Sequence, residues 1–138
     1  MKILVDTCVW SIALRRRAGG SAPESVELHQ LIDEARVQMI GPIRQEILSG
    51  IRDRKQFEDL RVRLRGFPDL PLAEEDYELA ADYFSALRAK GIQGSNTDFL
   101  ICAIAVRRGF AVLTTDRDFS RFQGVVTQLR LHRARREP

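Results

Sequence analysis

Lysine is scarce in this chain. Of its 22 basic residues only Lys2, Lys55 and Lys90 are lysines, and every other one is arginine. Any phosphate contact therefore falls to a planar, fork-shaped donor rather than to a point charge. An arginine-rich genome would give the same bias, so the bias alone assigns no partner. Cysteine is also rare. Cys8 and Cys102 sit singly in apolar segments without ligand spacing, which excludes a disulfide scaffold or thiolate zinc site and predicts two buried, reduced thiols. Histidine is limited to His29 on a helix and His132 near the C-terminus, so no imidazole cluster is available. No apolar run approaches the roughly 18 residues of a membrane span, and no leader pattern precedes the first strand. A cytoplasmic protein without a membrane role is expected. The formal charge of +3 is modest. There is no internal repeat, low-complexity tract or linker, and 138 residues suffice for one domain with a real core.

What is present is alternation. Lys2–Val5 reads as a buried strand, Val9–Leu14 as a helix, and Leu28, Leu31, Ile32 and Ala35 recur at helical spacing from Pro23 through Arg36. Val37–Ile40 is a second strand, and Pro42 opens a helix carrying Ile43, Ile47 and Leu48. A helix over Gln56–Arg65 follows, then a proline-bearing stretch, Phe67–Leu72, with room for a short strand. Glu74–Lys90 is a long amphipathic helix. Asn96–Arg108 is apolar almost all round and so is a buried helix, stopped by Gly109. Strands at Phe110–Thr114 and near Val125–Leu131 finish a domain over 1–131, leaving a basic, solvated tail at 132–138. Short apolar strands alternating with helices predict an α/β fold with a mostly parallel central sheet.

Several of these elements end in acid. Asp6 closes the first strand, Asp116 a later one, Asp98 opens the buried helix, and Glu46 lies early in the helix after the second strand. In parallel sheets ligands gather beyond the carboxyl ends of the strands, so these four carboxylates can converge. Converging carboxylates repel and need a counter-charge, and Mg²⁺ or Mn²⁺ is the hard cation that oxygen ligands favour. Such a site suits hydrolysis of a phosphodiester. Each acid also has a local explanation. Asp6 could begin a turn, Ser95-Asn-Thr-Asp98 matches a capping box, and Asp116 and Asp118 could cap Phe119–Phe122. Only jointly do the strand and helix ends favour a site.

The stretches "ILVDTCVW", "PIRQEILSG", "SNTDFLICAIAVRRG" and "VLTTDRDF" together resemble the PIN-domain ribonucleases, and more narrowly the VapC toxins of bacterial toxin–antitoxin pairs. The resemblance implies a three-layer α/β/α fold and metal-dependent cleavage of RNA. It further implies a homodimer and inhibition by a small VapB-type antitoxin. Motif by motif it makes Asp6, Glu46, Asp98 and Asp116 catalytic, with Asp6, Asp98 and Asp116 on the metal and Thr114 and Asp118 in support. The arginine run Arg15, Arg16 and Arg17 either contacts RNA phosphates or is a solvated helix end. Arg107 and Arg108 are expected to complement the end of their helix, and Trp10 to lie in the core. Two rivals remain open: an inactive PIN-like RNA-binding module, and a Mg²⁺-dependent phosphotransfer domain. The second would want an acid pair at the first strand and a lysine after a late one. "VDTCVW" has a single acid, and no lysine follows the late strands.

Overall fold

The computed structural model describes residues 1–14 and 22–135. Arg15, Arg16 and Arg17 lie outside the described residues. The elements run β1 (Ile3–Val5), α1 (Thr7–Leu14), α2 (Pro23–Asp33), β2 (Val37–Gln38), α3 (Gly41–Ser49), α4 (Arg54–Leu64), α5 (Glu74–Ala89), α6 (Asn96–Arg108), β3 (Ala111–Leu113), α7 (Asp118–Phe122) and β4 (Arg130–Leu131). The four strands form one sheet in the order β2-β1-β3-β4, parallel throughout. Such a sheet must bury both faces, and β1 and β3 meet this with three buried apolar residues each. None of the described helices is long and apolar enough to cross a membrane.

The strand order decides where a site can form. From β1 the chain steps to β2 on one side, then crosses back over β1 to reach β3 on the other. Crossovers of this kind are right-handed, so α1–α2 and α3–α6 cover opposite faces. The reversal falls between β1 and β3, whose register pairs Val5 with Leu113. The next residues, Asp6 and Thr114, therefore leave the same edge side by side.

Several boundaries differ from the sequence reading. α2 stops at Asp33 rather than running through Arg36, because Ala35 takes a left-handed φ of 55° and the chain turns into β2. α4 starts two residues early, since the Asp53 carboxylate accepts the Gln56 N–H at 2.9 Å. The Phe67–Leu72 stretch contributes a single bridge, Asp69 to Met39. The last strand shrinks to Arg130–Leu131. Val126 and Leu129 ahead of it are buried, but they are reached by turn bonds such as Val126 N–H to the Phe122 carbonyl at 2.7 Å.

The core joins both faces. Trp10 is buried and meets Phe67 edge-on at 5.3 Å. Phe99 of α6 touches Phe84 of α5 and Phe122 of α7 with ring centroids 5.3 and 5.1 Å apart. Gly94 lies against this aromatic cluster. A Cβ there would come within 2.7 Å of the Phe99 ring and 2.8 Å of the Phe122 ring. Arg107 and Arg108 do more than complement their helix end. Both reach the fully buried Asp76 at the start of α5, at 2.5 and 2.6 Å, and Asp76 also accepts the Ala73 N–H at 2.8 Å.

The tail also departs from expectation over 132–135. His132 Nε2 lies 2.6 Å from the carboxylate of buried Glu27, while Arg135 Nε donates to both Glu27 oxygens at 3.0 Å and its other nitrogens reach Glu34. A buried carboxylate needs charged donors. This segment supplies them, so it is a docked wall rather than a solvated arm.

Candidate active site

Asp6 is the hub. The chain turns directly from β1 into α1, and Asp6 at that corner is buried, with 6% exposure. Its Oδ1 accepts the Thr7 N–H at 2.8 Å, and its Oδ2 accepts the Thr114 hydroxyl at 2.8 Å. The Cys8 thiol donates to that same Oδ2 at 3.4 Å. Thr114 Oγ1 in turn accepts the Asp116 N–H at 3.0 Å, and Asp116 Oδ1 accepts the Asp118 N–H at 2.9 Å. A continuous hydrogen-bonded path thus ties the end of β1 to the loop after β3. Burial pushes the Asp6 carboxyl above its ordinary range. Thr114, Cys8 and Thr7 pull it partly back, and the nearby charge of Asp116 adds to the rise.

Asp98 satisfies both readings at once. Its Oδ2 accepts the Ser95 N–H and the Ser95 hydroxyl accepts its N–H, each at 3.0 Å, which completes the capping box. The cap occupies one carboxylate oxygen and fixes the side chain. Asp98 is also raised, first by burial and then by the charges of Asp6 and Asp116, against the restraint of Ser95. The charges of Asp6 and Asp116 thus reach Asp98, and that of Asp116 reaches Asp6.

Glu46 stands further out. It is exposed on α3 and joins through Thr7, whose hydroxyl donates to Glu46 Oε1 at 2.6 Å. Asp118 belongs to the first turn of α7, where it faces Arg121 at 3.8 Å and gives its backbone N–H to Asp116. The structure thus brings Asp6, Asp98, Asp116 and Thr114 together, adds Glu46 through a bridge, and leaves Asp118 at the margin. Among the described residues no three His, Cys, Asp or Glu side chains are placed so as to hold a metal ion between them. The donors at hand are carboxylate oxygens, which suit a hard divalent cation better than zinc.

Residues 3–125 match the family model of the PIN domain. The chain belongs to the PIN-domain family. Among curated proteins it is 36% identical over 121 residues to VapC ribonuclease Mb1587 of Mycobacterium bovis and, equally, to ribonuclease VapC11 of Mycobacterium tuberculosis. Each match covers 85% of this chain and 88% of the relative. Among solved structures it is similar to FitAcB from Neisseria gonorrhoeae, with TM-score 0.73 and 23% identity over 96% of this chain and 97% of that one. VapBC2 from Rickettsia felis, solved on a DNA fragment from its promoter, gives TM-score 0.75 and 17% identity over 96% and 98%. These two likenesses carry the fold.

Two neighbours of this PIN-domain site escaped the sequence reading. Thr7 carries both the Glu46 bridge and a backbone bond to Asp6. Its only signal was position, as the first residue of a helix that follows an acid without a spacer. Cys8 was expected to be buried in the core. It is half-buried in the site, and its sulfur also accepts the Thr115 N–H at 3.5 Å. Cys102 does lie in the core, beneath the PIN-domain aspartates. Burial first, then the charges of Asp98 and Asp6, pushes its thiol up to about 12, so it stays a neutral thiol.

Proposed function

We propose that this protein is a divalent-metal-dependent endoribonuclease and the toxin of a toxin–antitoxin pair. The observation that carries the reading is the buried Asp6, hydrogen-bonded to Thr114 at the strand-order reversal and within the field of Asp98 and Asp116. Three carboxylates held in mutual repulsion are stabilised by a cation, and the chain's own groups set the stage for one. Thr114 and Thr7 orient the two Asp6 oxygens, Ser95 fixes Asp98, and Glu46 stands at the rim beside Thr7. Asp6, Asp98 and Asp116 would hold the ion. Mg²⁺ or Mn²⁺, when bound, supplies charge neutralisation at the scissile phosphate and a more acidic water. Asp118 supports the loop that carries Asp116.

The names of the curated relatives, both ribonucleases, point to RNA as the substrate. Complexes such as VapBC2 point to a small antitoxin as partner. An arginine or lysine of that partner would pair with these carboxylates and take the place of the ion. Self-association into a homodimer and a cytoplasmic location complete the proposal.

The test is cleavage of RNA by the purified chain with Mg²⁺ or Mn²⁺, abolished by a chelator. Asp6→Asn and Asp98→Asn should each lower the rate by orders of magnitude while preserving the far-UV spectrum. Robust cleavage by either variant, free of contaminating nuclease, would overturn the assignment.

A further inference from the structure

A groove of about 840 Å³ opens beside the acidic site. Thr114, Thr115 and Asp116 form its inner end, Pro23 and Glu24 at the start of α2 one side, and the segment from Leu131 to Arg135 the outer wall. Arg117 from the β3 loop and Arg133 from the wall both line it. Both are exposed, and among the described residues neither joins an ion pair. Their neighbour Arg135 is engaged with Glu27 and Glu34, which anchors the wall and leaves Arg133 projecting from a fixed base.

We infer that this groove seats the RNA strand on one side of the scissile phosphate, with Arg117 and Arg133 as its phosphate contacts. The inference rests on the ribonuclease reading and deepens it. Asp116 at the inner end repels a polyanion, so the strand needs cationic purchase close by, and two guanidinium groups without an ion pair among the described residues provide it. Among the described residues the cavity on the other flank of the site, lined by Thr7, Gln45, Glu46 and Thr97, has no cation in its lining. A cationic antitoxin segment would be repelled by Arg117 and Arg133, so the charges favour RNA here over that partner.

The experiment uses the full chain and a fluorescent 30-nucleotide RNA of mixed sequence. Binding is measured by anisotropy in chelator across a series of KCl concentrations, and cleavage in Mn²⁺. Arg117→Ala/Arg133→Ala should weaken binding about tenfold and raise KM similarly, with kcat within about twofold. The slope of log K against log salt should fall by about 1.4, since each lost contact to a single strand removes roughly 0.7. Arg63→Ala/Arg65→Ala, at the exposed end of α4 and outside the groove, is the control and should match wild type. An unchanged KM and salt slope in the groove variant, an equal loss in the control, or weakened antitoxin binding with intact RNA binding would each overturn the inference. Failure of wild type to cut any RNA overturns the ribonuclease reading instead, and the binding series in chelator still decides the groove.

Discussion

At the scale of single residues, Asp116 separates a metal site from a helix cap. Its Oδ1 accepts the Asp118 N–H at 2.9 Å, a bond that an asparagine oxygen makes as well. Its charge acts elsewhere: burial chiefly raises both Asp6 and Asp98, and the charge of Asp116 adds to the rise. Two carboxylates about 4 Å apart repel by up to ~4 kcal/mol at an effective dielectric of ~20, and less where solvent screens them. Asp116→Asn keeps the cap and removes the repulsion. Its melting temperature without metal should rise by a few degrees, while the stabilisation given by Mn²⁺ to wild type should shrink. Parallel melting behaviour of the two proteins, with and without Mn²⁺, would return Asp116 to a purely local role. Asp6, Asp98 and Asp116 were legible in the sequence because each stands at the edge of an apolar run. Thr7, the Asp76 clamp and the Glu27 anchor were not. Their partners lie between 31 and 108 residues away, and such pairs leave no local signature.

At the scale of elements, the capped start of α6 shows how packing aims chemistry. Ser95 and Asp98 cap the helix, and Gly94 just before them lies against the rings of Phe99 and Phe122. A methyl group at Gly94 would have to displace rings that are fully buried. Gly94→Ala should therefore cost about 1–3 kcal/mol, the usual range for overpacking. It should also lower nuclease activity by more than the unfolded fraction explains, because Asp98 moves with the cap. Denaturant midpoints and specific activity measured on one preparation check both parts. Long periodic helices such as α5 and α6 were readable, since a 3.6-residue stripe repeats enough to be seen. The strand β4 was readable in place but not in extent, since only Arg130–Leu131 form it. Val125, Val126 and Leu129 supply the apolar character of a strand while sitting in turns.

At the scale of the whole molecule, two buried carboxylates tie distant parts together. Asp76 clamps the start of α5 to the end of α6, and Glu27 clamps α2 to the segment after β4. For Asp76, burial alone would raise the carboxyl, but hydrogen bonds from Arg108, the Ala73 N–H and Arg107 together hold it far below the usual carboxylate range. Its unfolded value is about 3.9, so the folded state binds fewer protons. The stability it contributes is complete above about pH 4 and is withdrawn as pH falls toward the folded value. Asp76→Asn should cost about 3 kcal/mol at pH 7, the low end for breaking a buried pair, because the arginines remain partly in water. Urea midpoints of wild type and variant at pH 7, 5 and 3 should converge as the solution becomes acid. A constant gap would remove Asp76 from the acid sensitivity.

The hydrogen bond from Thr114 to Asp6 spans 108 residues, and this sets how much of the chain must be made before the two sides of the site can meet. A ribosome part-way along the message holds a chain that has Asp6 and Glu46 but neither Thr114 nor Asp116. The central pairing of β1 with β3 is missing as well, because Ala111–Leu113 has yet to be made. Long-range parallel pairing is slow even in a finished chain. Products that stop before Thr114 thus lack both the central strand pair and the hydroxyl that holds Asp6.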